Sequence, residues 1–251
     1  VAKSTPRRRA IALTVSGLVL IASVAAVLWA VVPYGPMNEA EGALLSDSVV
    51  RVDRTPFLTF TPRSNTLEVG LIVYPGARVA PAAYAPAARA IAEEGFLVVV
   101  VQMPLNLAVL APDRANQIIE LHPEIKRWAI GGHSLGGAMA ARFALNSGAA
   151  DGLVLWAAYP AQSDDLSQLV ISVTSIYASQ DGLATSAEVL ASAARLPASA
   201  RLVRINGGNH AQFGWYGPQP GDQPASISRA EQEHAVVQAT IGLLRRMADS
   251  P

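Results

Sequence analysis

The 251-residue chain contains no cysteine, which excludes disulfides, thiolate metal centres and a cysteine nucleophile and leaves the redox compartment open. Histidine is scarce too, at four residues. No His/Asp/Glu cluster with metal-ligand spacing occurs, so metal-assisted hydrolysis is disfavoured and neither a metal nor a cofactor is expected. Charge is sparse at 15% of residues, with 19 basic and 19 acidic side chains in all. Lys3, Arg7, Arg8 and Arg9 account for four of the 19 basic ones, so the other 15 face all 19 acidic side chains in the remainder of the chain. A mildly acidic body argues against nucleic acid as a partner.

The next absence is of charge along one stretch. No charged side chain occurs between Ala10 and Asn38, and residues 11–32 (IALTVSGLVLIASVAAVLWAVV) form an apolar run. As a helix this run measures about 33 Å, enough to span a bilayer. It is longer than the apolar region of a signal peptide and ends in Trp-Ala-Val-Val-Pro-Tyr without a small-x-small cleavage site. The expectation is a single-pass membrane protein. Its basic tail over 1–10 is cytoplasmic, its signal anchor covers 11–32, its tether covers 33–43, and an extracytoplasmic globular domain fills 44–251. The orientation follows from the basic cluster before the run and Glu39 and Glu41 after it.

With about half the residues apolar, one domain with a sizeable core is expected. Residues 48–54 and 57–61 read as two edge strands or a hairpin. Beyond them, short apolar runs alternate with helical segments. Strands are expected at 69–74, 96–101, 128–132, 152–156, 171–178 and 201–205. Helices are expected at 81–94, 112–122, 135–146, 185–194 and 229–247. Runs such as Leu97-Val98-Val99-Val100-Val101 suit strands buried on both faces, and the alternation implies an α/β fold with a mostly parallel central sheet and helices on both faces.

Gly132-His133-Ser134-Leu135-Gly136 matches G-x-S-x-G. The string alone is weak; its place between a strand and a helix is where a nucleophile elbow belongs. Ser134 is therefore the candidate nucleophile. Its base is expected to be His210, in the loop Asn206-Gly207-Gly208-Asn209-His210 after the strand 201–205, at the edge where open α/β sheets bind ligands. His133 lies inside the elbow, whereas His122 and His234 fall in helical segments among charged residues. A serine–imidazole pair needs a carboxylate to fix the tautomer. Asp181, after the strand 171–178, gives the order Ser, Asp, His that this topology calls for. Asp164 and Asp165, after an earlier strand, are the alternatives. Tyr74-Pro75-Gly76-Ala77-Arg78 ends the first core strand beside the elbow, and the amides of Ala77 and Leu135 are the expected oxyanion donors.

These segments, with Tyr177-Ala178-Ser179-Gln180-Asp181-Gly182 and Gly207-Gly208-Asn209-His210, together resemble a compact bacterial α/β-hydrolase, similar to the dienelactone-hydrolase-like branch. The resemblance covers about Leu67 to Met247. It implies a Ser-Asp-His triad, an acyl-enzyme intermediate and no cofactor. Dienelactone hydrolases use a cysteine nucleophile, which this chain lacks, so their substrate does not carry over. The implied activity is that of a carboxylesterase-like serine hydrolase on a small acyl substrate. Acyl transfer on the same triad, or a silent binding domain at the membrane surface, are the alternatives.

Between Ser134 and Asp181 a helix, two strands and their connections consume the chain, leaving no room for a lid domain. Leu105 and Leu107, in the apolar loop after the strand 96–101, are expected on one wall of the substrate pocket. Phe213, Trp215 and Tyr216 are expected on the other.

Overall fold

The computed structural model describes the backbone of residues 6–63 and 68–249, and their side chains except at 6, 8–10, 12, 26, 30 and 31. In chain order the elements are α1 (Pro6–Val31), α2 (Asn38–Glu41), β1 (Val50–Asp53), β2 (Leu58–Pro62), β3 (Val69–Tyr74), α3 (Ala85–Glu93), β4 (Leu97–Val100), α4 (Ala115–Leu121), β5 (Arg127–His133), α5 (Leu135–Ser147), β6 (Gly152–Trp156), β7 (Ser172–Ala178), α6 (Ser186–Ser192), β8 (Arg201–Ile205) and α7 (Arg229–Asp249).

The eight strands form one sheet in the order β1-β2-β4-β3-β5-β6-β7-β8. β1 and β2 are antiparallel, as is the β2–β4 pair. From β4 through β8 every pairing is parallel. Side chains alternate across this sheet with the period of two that a strand imposes. Leu71 and Val73 of β3, Val98 and Val100 of β4, and Val154 and Trp156 of β6 enter one core with Ile91 of α3 and Val237, Ile241 and Leu244 of α7. Ile72 and Tyr74, Leu97 and Val99, and Leu153 and Leu155 enter the other with Ile118 of α4 and Met139 and Phe143 of α5. Continuous β-branched runs are thus buried twice over, which is why they carry no polar alternation.

α7 is tied to the sheet by more than apolar contact. The buried indole nitrogen of Trp156 donates to Thr240 Oγ1 at 3.1 Å, and Thr240 in turn donates to the Val236 carbonyl at 2.8 Å. Packing of this helix across β6 and β7 brings its first turn under the loops at the carboxyl edge of the sheet.

The N-terminal region departs from expectation in two ways. A helix forms over Pro6–Val31, and Leu18, Val19, Leu20 and Ile21 are all exposed, so it is apolar on every side. Among the described residues, however, no helix is long and apolar enough to cross a membrane. The spanning anchor expected over 11–32 is therefore not carried by the structure, several of its side chains lying outside the described set. Residues 33–43, read as a tether, are docked: Tyr34 pairs with Val79 as an isolated parallel bridge, and the Met37 amide donates to the Trp215 carbonyl at 2.7 Å.

Candidate active site

Ser134 is the single residue between β5 and α5, at φ 53° and ψ −123°. For a residue with a Cβ this conformation costs on the order of 1–3 kcal/mol and must be imposed by its surroundings. The Ser134 amide donates to the Trp156 carbonyl at 3.0 Å, and its carbonyl accepts from the Ala138 amide at 3.1 Å. Two residues on, a Cβ at Gly136 would lie 2.2 Å from the Tyr74 carbonyl oxygen and 2.4 Å from that of Pro75. Only glycine lets the first turn of α5 press so closely on the end of β3. That contact brings Leu135 beside the Tyr74–Ala77 turn. The Leu135 and Ala77 amides have no hydrogen-bond partner among the described residues.

Asp181 and His210 follow β7 and β8, two strands paired in parallel. His210 Nδ1 lies 2.8 Å from Asp181 Oδ2, with both side chains at 1% exposure or less. The other carboxylate oxygen, Oδ1, accepts from the Leu183 and Ala184 amides at 2.8 and 2.7 Å. A carboxylate only accepts, so a neutral His210 ring paired with Oδ2 carries its proton on Nδ1 and a lone pair on Nε2. His210 Nε2 is buried without a partner. No hydrogen bond joins it to Ser134 Oγ among the described residues.

A second carboxylate organises the backbone around this pair. Asp222 accepts from the amides of Gly182 (3.1 Å), His210 (3.2 Å) and Ala211 (2.8 Å), so one side chain holds both the Asp181 loop and the His210 loop. α7 holds the same loop from beneath. Buried Gln232 accepts from the Asn209 amide at 3.0 Å and donates to the Asn209 carbonyl at 2.8 Å. Arg229 donates to the carbonyls of Ala211 and Gly214.

Beneath the elbow the Gly76 amide donates to Tyr84 Oη at 2.9 Å, and that hydroxyl is hydrogen-bonded with His133 Nδ1, also at 2.9 Å. The His133 ring centre is 4.5 Å from that of His210 and 5.8 Å from that of Phe213, on which it stacks. Burial, and secondarily the neighbouring His210, hold His133 well below the usual histidine pKa, with the His210 backbone opposing in part. His133 is a neutral ring against which His210 packs.

Of the expected pocket residues, Phe213 is buried on His133 and Tyr216 is buried with its ring centre 6.1 Å from that of His133. Trp215 turns toward α7, its indole nitrogen donating to Glu233. Leu105 is 46% exposed in a left-handed conformation, at φ 50°. Leu107 is half-buried beside it. Asp164 is engaged by Arg142 at 3.0 and 3.2 Å, and Asp165 accepts from the Ser167 amide. Both alternative acids are thus committed elsewhere. A cavity of about 980 Å³ is lined by Arg127, Asp151, Ile171 and Ser172 at the amino ends of β5 to β7, away from Ser134.

A family model described as Alpha/beta hydrolase family matches residues 70–234. The chain belongs to the alpha/beta hydrolase family. That span runs from β3 to the first turn of α7 and contains Ser134, Asp181 and His210. Among solved structures, this hydrolase is similar to a predicted CIB-like hydrolase from Thermoplasma acidophilum, at 15% identity and TM-score 0.60, covering 79% of this chain and 99% of that one. It is also similar to a thermophilic esterase of Thermogutta terrifontis with butyrate bound, at 12% identity and TM-score 0.60, covering 80% and 96%. The same esterase phosphonylated by sarin matches at 12% identity and TM-score 0.60, covering 79% and 94%. At these identities the likeness is one of fold. No curated protein sequence matches the chain.

Tyr84, Asp222 and Gln232 were not singled out from the sequence. Asp222 sits in the irregular stretch Pro218-Gln219-Pro220-Gly221-Asp222, where no period points to a partner, and Gln232 is masked by the polar opening of α7. Tyr84 carries the one available signal, a lone aromatic hydroxyl in an alanine-rich segment; buried tyrosines need a hydrogen-bond partner.

Two outcomes follow. Asp222→Ala strips the acceptor from four amides, those of Gly182, His210, Ala211 and Gln223, and is expected to lower unfolding free energy by roughly 2–4 kcal/mol, with Asp222→Asn intermediate; an unchanged urea midpoint would count against its organising role. For His133, the unfolded chain takes up a proton near pH 6.5, the ordinary value, while the folded protein does so only at much lower pH. Stability from this residue is therefore fully present above pH 6.5 and is lost as pH falls below it, by up to ~1.4 kcal/mol per pH unit. Urea titrations at pH 7.0, 6.0 and 5.5 should show a steeper loss for wild type than for His133→Gln; parallel slopes would remove His133 as the cause.

Proposed function

We propose that this chain is a serine hydrolase acting on carboxylic esters, with Ser134 as nucleophile, His210 as general base and Asp181 as the residue that orients and charge-balances His210. The observation that carries the reading is the buried 2.8 Å contact between His210 Nδ1 and Asp181 Oδ2, with Nε2 left unpaired. Such an imidazole has its tautomer fixed and its proton-accepting atom free. In this reading Nε2 takes the Ser134 hydroxyl proton as Oγ attacks the ester carbonyl. The Leu135 and Ala77 amides, at the N-terminus of α5 and in the turn pressed against it, receive the developing oxyanion. Collapse expels the alcohol, to which His210 returns the proton, and leaves an acyl group on Ser134. Water, activated by the same nitrogen, then releases the acid. In this reading Leu105 and Leu107 meet an apolar acyl chain, while Phe213 and Tyr216, both buried, back the His133 ring.

The same proposal holds the domain at a cell membrane through α1, on the extracytoplasmic side. Support comes from the uncharged residues 10–38, the apolar side chains that α1 exposes on every face, and the basic cluster at its start.

Full-length protein should react with a fluorophosphonate probe, and Ser134→Ala and His210→Ala should abolish labelling. Asp181→Asn should lower kcat on p-nitrophenyl butyrate about a thousandfold or more at pH 7. Failure of the folded wild type to label overturns the serine mechanism. Expressed in bacteria, the protein should sediment with membranes and be digested by protease added to spheroplasts; recovery in the soluble fraction, or protection from protease, overturns the membrane assignment.

A further inference from the structure

The residue after Ala77 is held by a part of the chain that lies outside the family match. Arg78 adopts a left-handed backbone conformation at φ 59°, and the Val79 amide closes the turn onto the Gly76 carbonyl at 3.0 Å. The Arg78 amide donates to the Asn106 carbonyl at 2.8 Å, and the Arg78 carbonyl accepts from the Tyr34 amide. The Ala80 amide donates to the Tyr34 carbonyl at 3.0 Å, completing a bridge between Tyr34 and Val79. The Arg78 side chain reaches the end of α1. Its guanidinium carbon lies 4.2 Å from the Trp29 ring centre and 5.1 Å from that of Tyr34, and Nη2 donates to the Val32 carbonyl at 3.0 Å.

An L-residue in the left-handed region relaxes unless its neighbours over-determine it. At Arg78 those neighbours are residues 29–34 on one side and Asn106 on the other. Rotation of the peptide planes around Arg78 would re-aim the adjoining Ala77 segment, and oxyanion stabilisation depends steeply on donor geometry. Tyr84 secures the turn from within at Gly76; Arg78 secures it from without.

We propose that the end of α1 is a positioning element of the active site: Trp29, Val32 and Tyr34 hold Arg78 and thereby fix the Ala77 amide for turnover. The inference rests on the serine hydrolase reading, in which Ala77 supplies an oxyanion donor. It makes the N-terminal helix a determinant of rate, in addition to any role in localisation.

The test uses the full chain in detergent, with p-nitrophenyl butyrate as substrate and hydrogen exchange over residues 75–80 as a readout independent of activity. Trp29→Ala removes a surface ring, and Arg78→Gly removes the side chain while tolerating the left-handed backbone. Both variants should lower kcat about tenfold with KM within twofold of wild type, and both should speed exchange across 75–80. The double variant should be no worse than the weaker single one, because the two changes break one interaction. Val170→Ser, at a fully exposed position near the distal cavity, serves as control. Wild-type kcat in Arg78→Gly, effects that multiply in the double variant, or unchanged exchange in Trp29→Ala would each overturn the proposal. A wild type that neither turns over nor labels would instead sink the hydrolase reading, and this inference with it; the exchange data would still report whether α1 restrains the turn.

Discussion

At Gly136 the backbone of α5 lies against the carbonyl oxygens of Tyr74 and Pro75 more closely than any side chain would permit. The rest of the site depends on this contact. It sets the height at which α5 leaves the sheet, and so forces the connecting residue, Ser134, out of the regions that L-residues prefer. It also lays the end of β3 across the helix N-terminus, bringing two unpaired amides to one edge. The strain at Ser134 is sustained by the parallel pairing of β5 with β3 and β6, the most enclosed part of the sheet. A nucleophile on a surface loop would have no such support.

Two carboxylates divide the work at the neighbouring strand ends. Asp181 faces the imidazole, while Asp222 faces only backbone amides, so the charge beside His210 is separated from the charge that shapes its loop. The neutral ring of His133 packs against His210 and is hydrogen-bonded through Nδ1 with the Tyr84 hydroxyl. An imidazolium formed at His210 therefore meets a carboxylate on one side and an uncharged aromatic surface on the other.

The centre of the sheet was legible because its strands β3, β4 and β6 are buried on both faces. β-branched runs such as 97–101 leave little alternative, and the strand limits differ from expectation by only a residue or two at most sites. The places of Ser134, Asp181 and His210 after β5, β7 and β8 could likewise be read from topology, although the contact between Asp181 and His210 needed coordinates. What stayed hidden was contact between segments distant in sequence. Nothing in Pro33–Gly42 announces that Tyr34 joins Val79, because a single bridge leaves no period. Trp215 was assigned to a pocket by proximity to His210, yet the half-buried Glu233 on α7 draws its indole nitrogen the other way. Buried polar partners of this kind are written one residue at a time, and patterning does not record them.

The first turn of α7 has a consequence for the order in which the molecule becomes competent. Arg229 and Gln232 brace the loop that carries His210, and Trp156 in the middle of the sheet is capped by Thr240 of the same helix. During synthesis Ser134, Asp181 and His210 all precede this brace. A nascent chain can thus carry all three side chains and still lack the brace that holds the His210 loop, so the segment made last among these elements is also the one that sets the geometry of that loop.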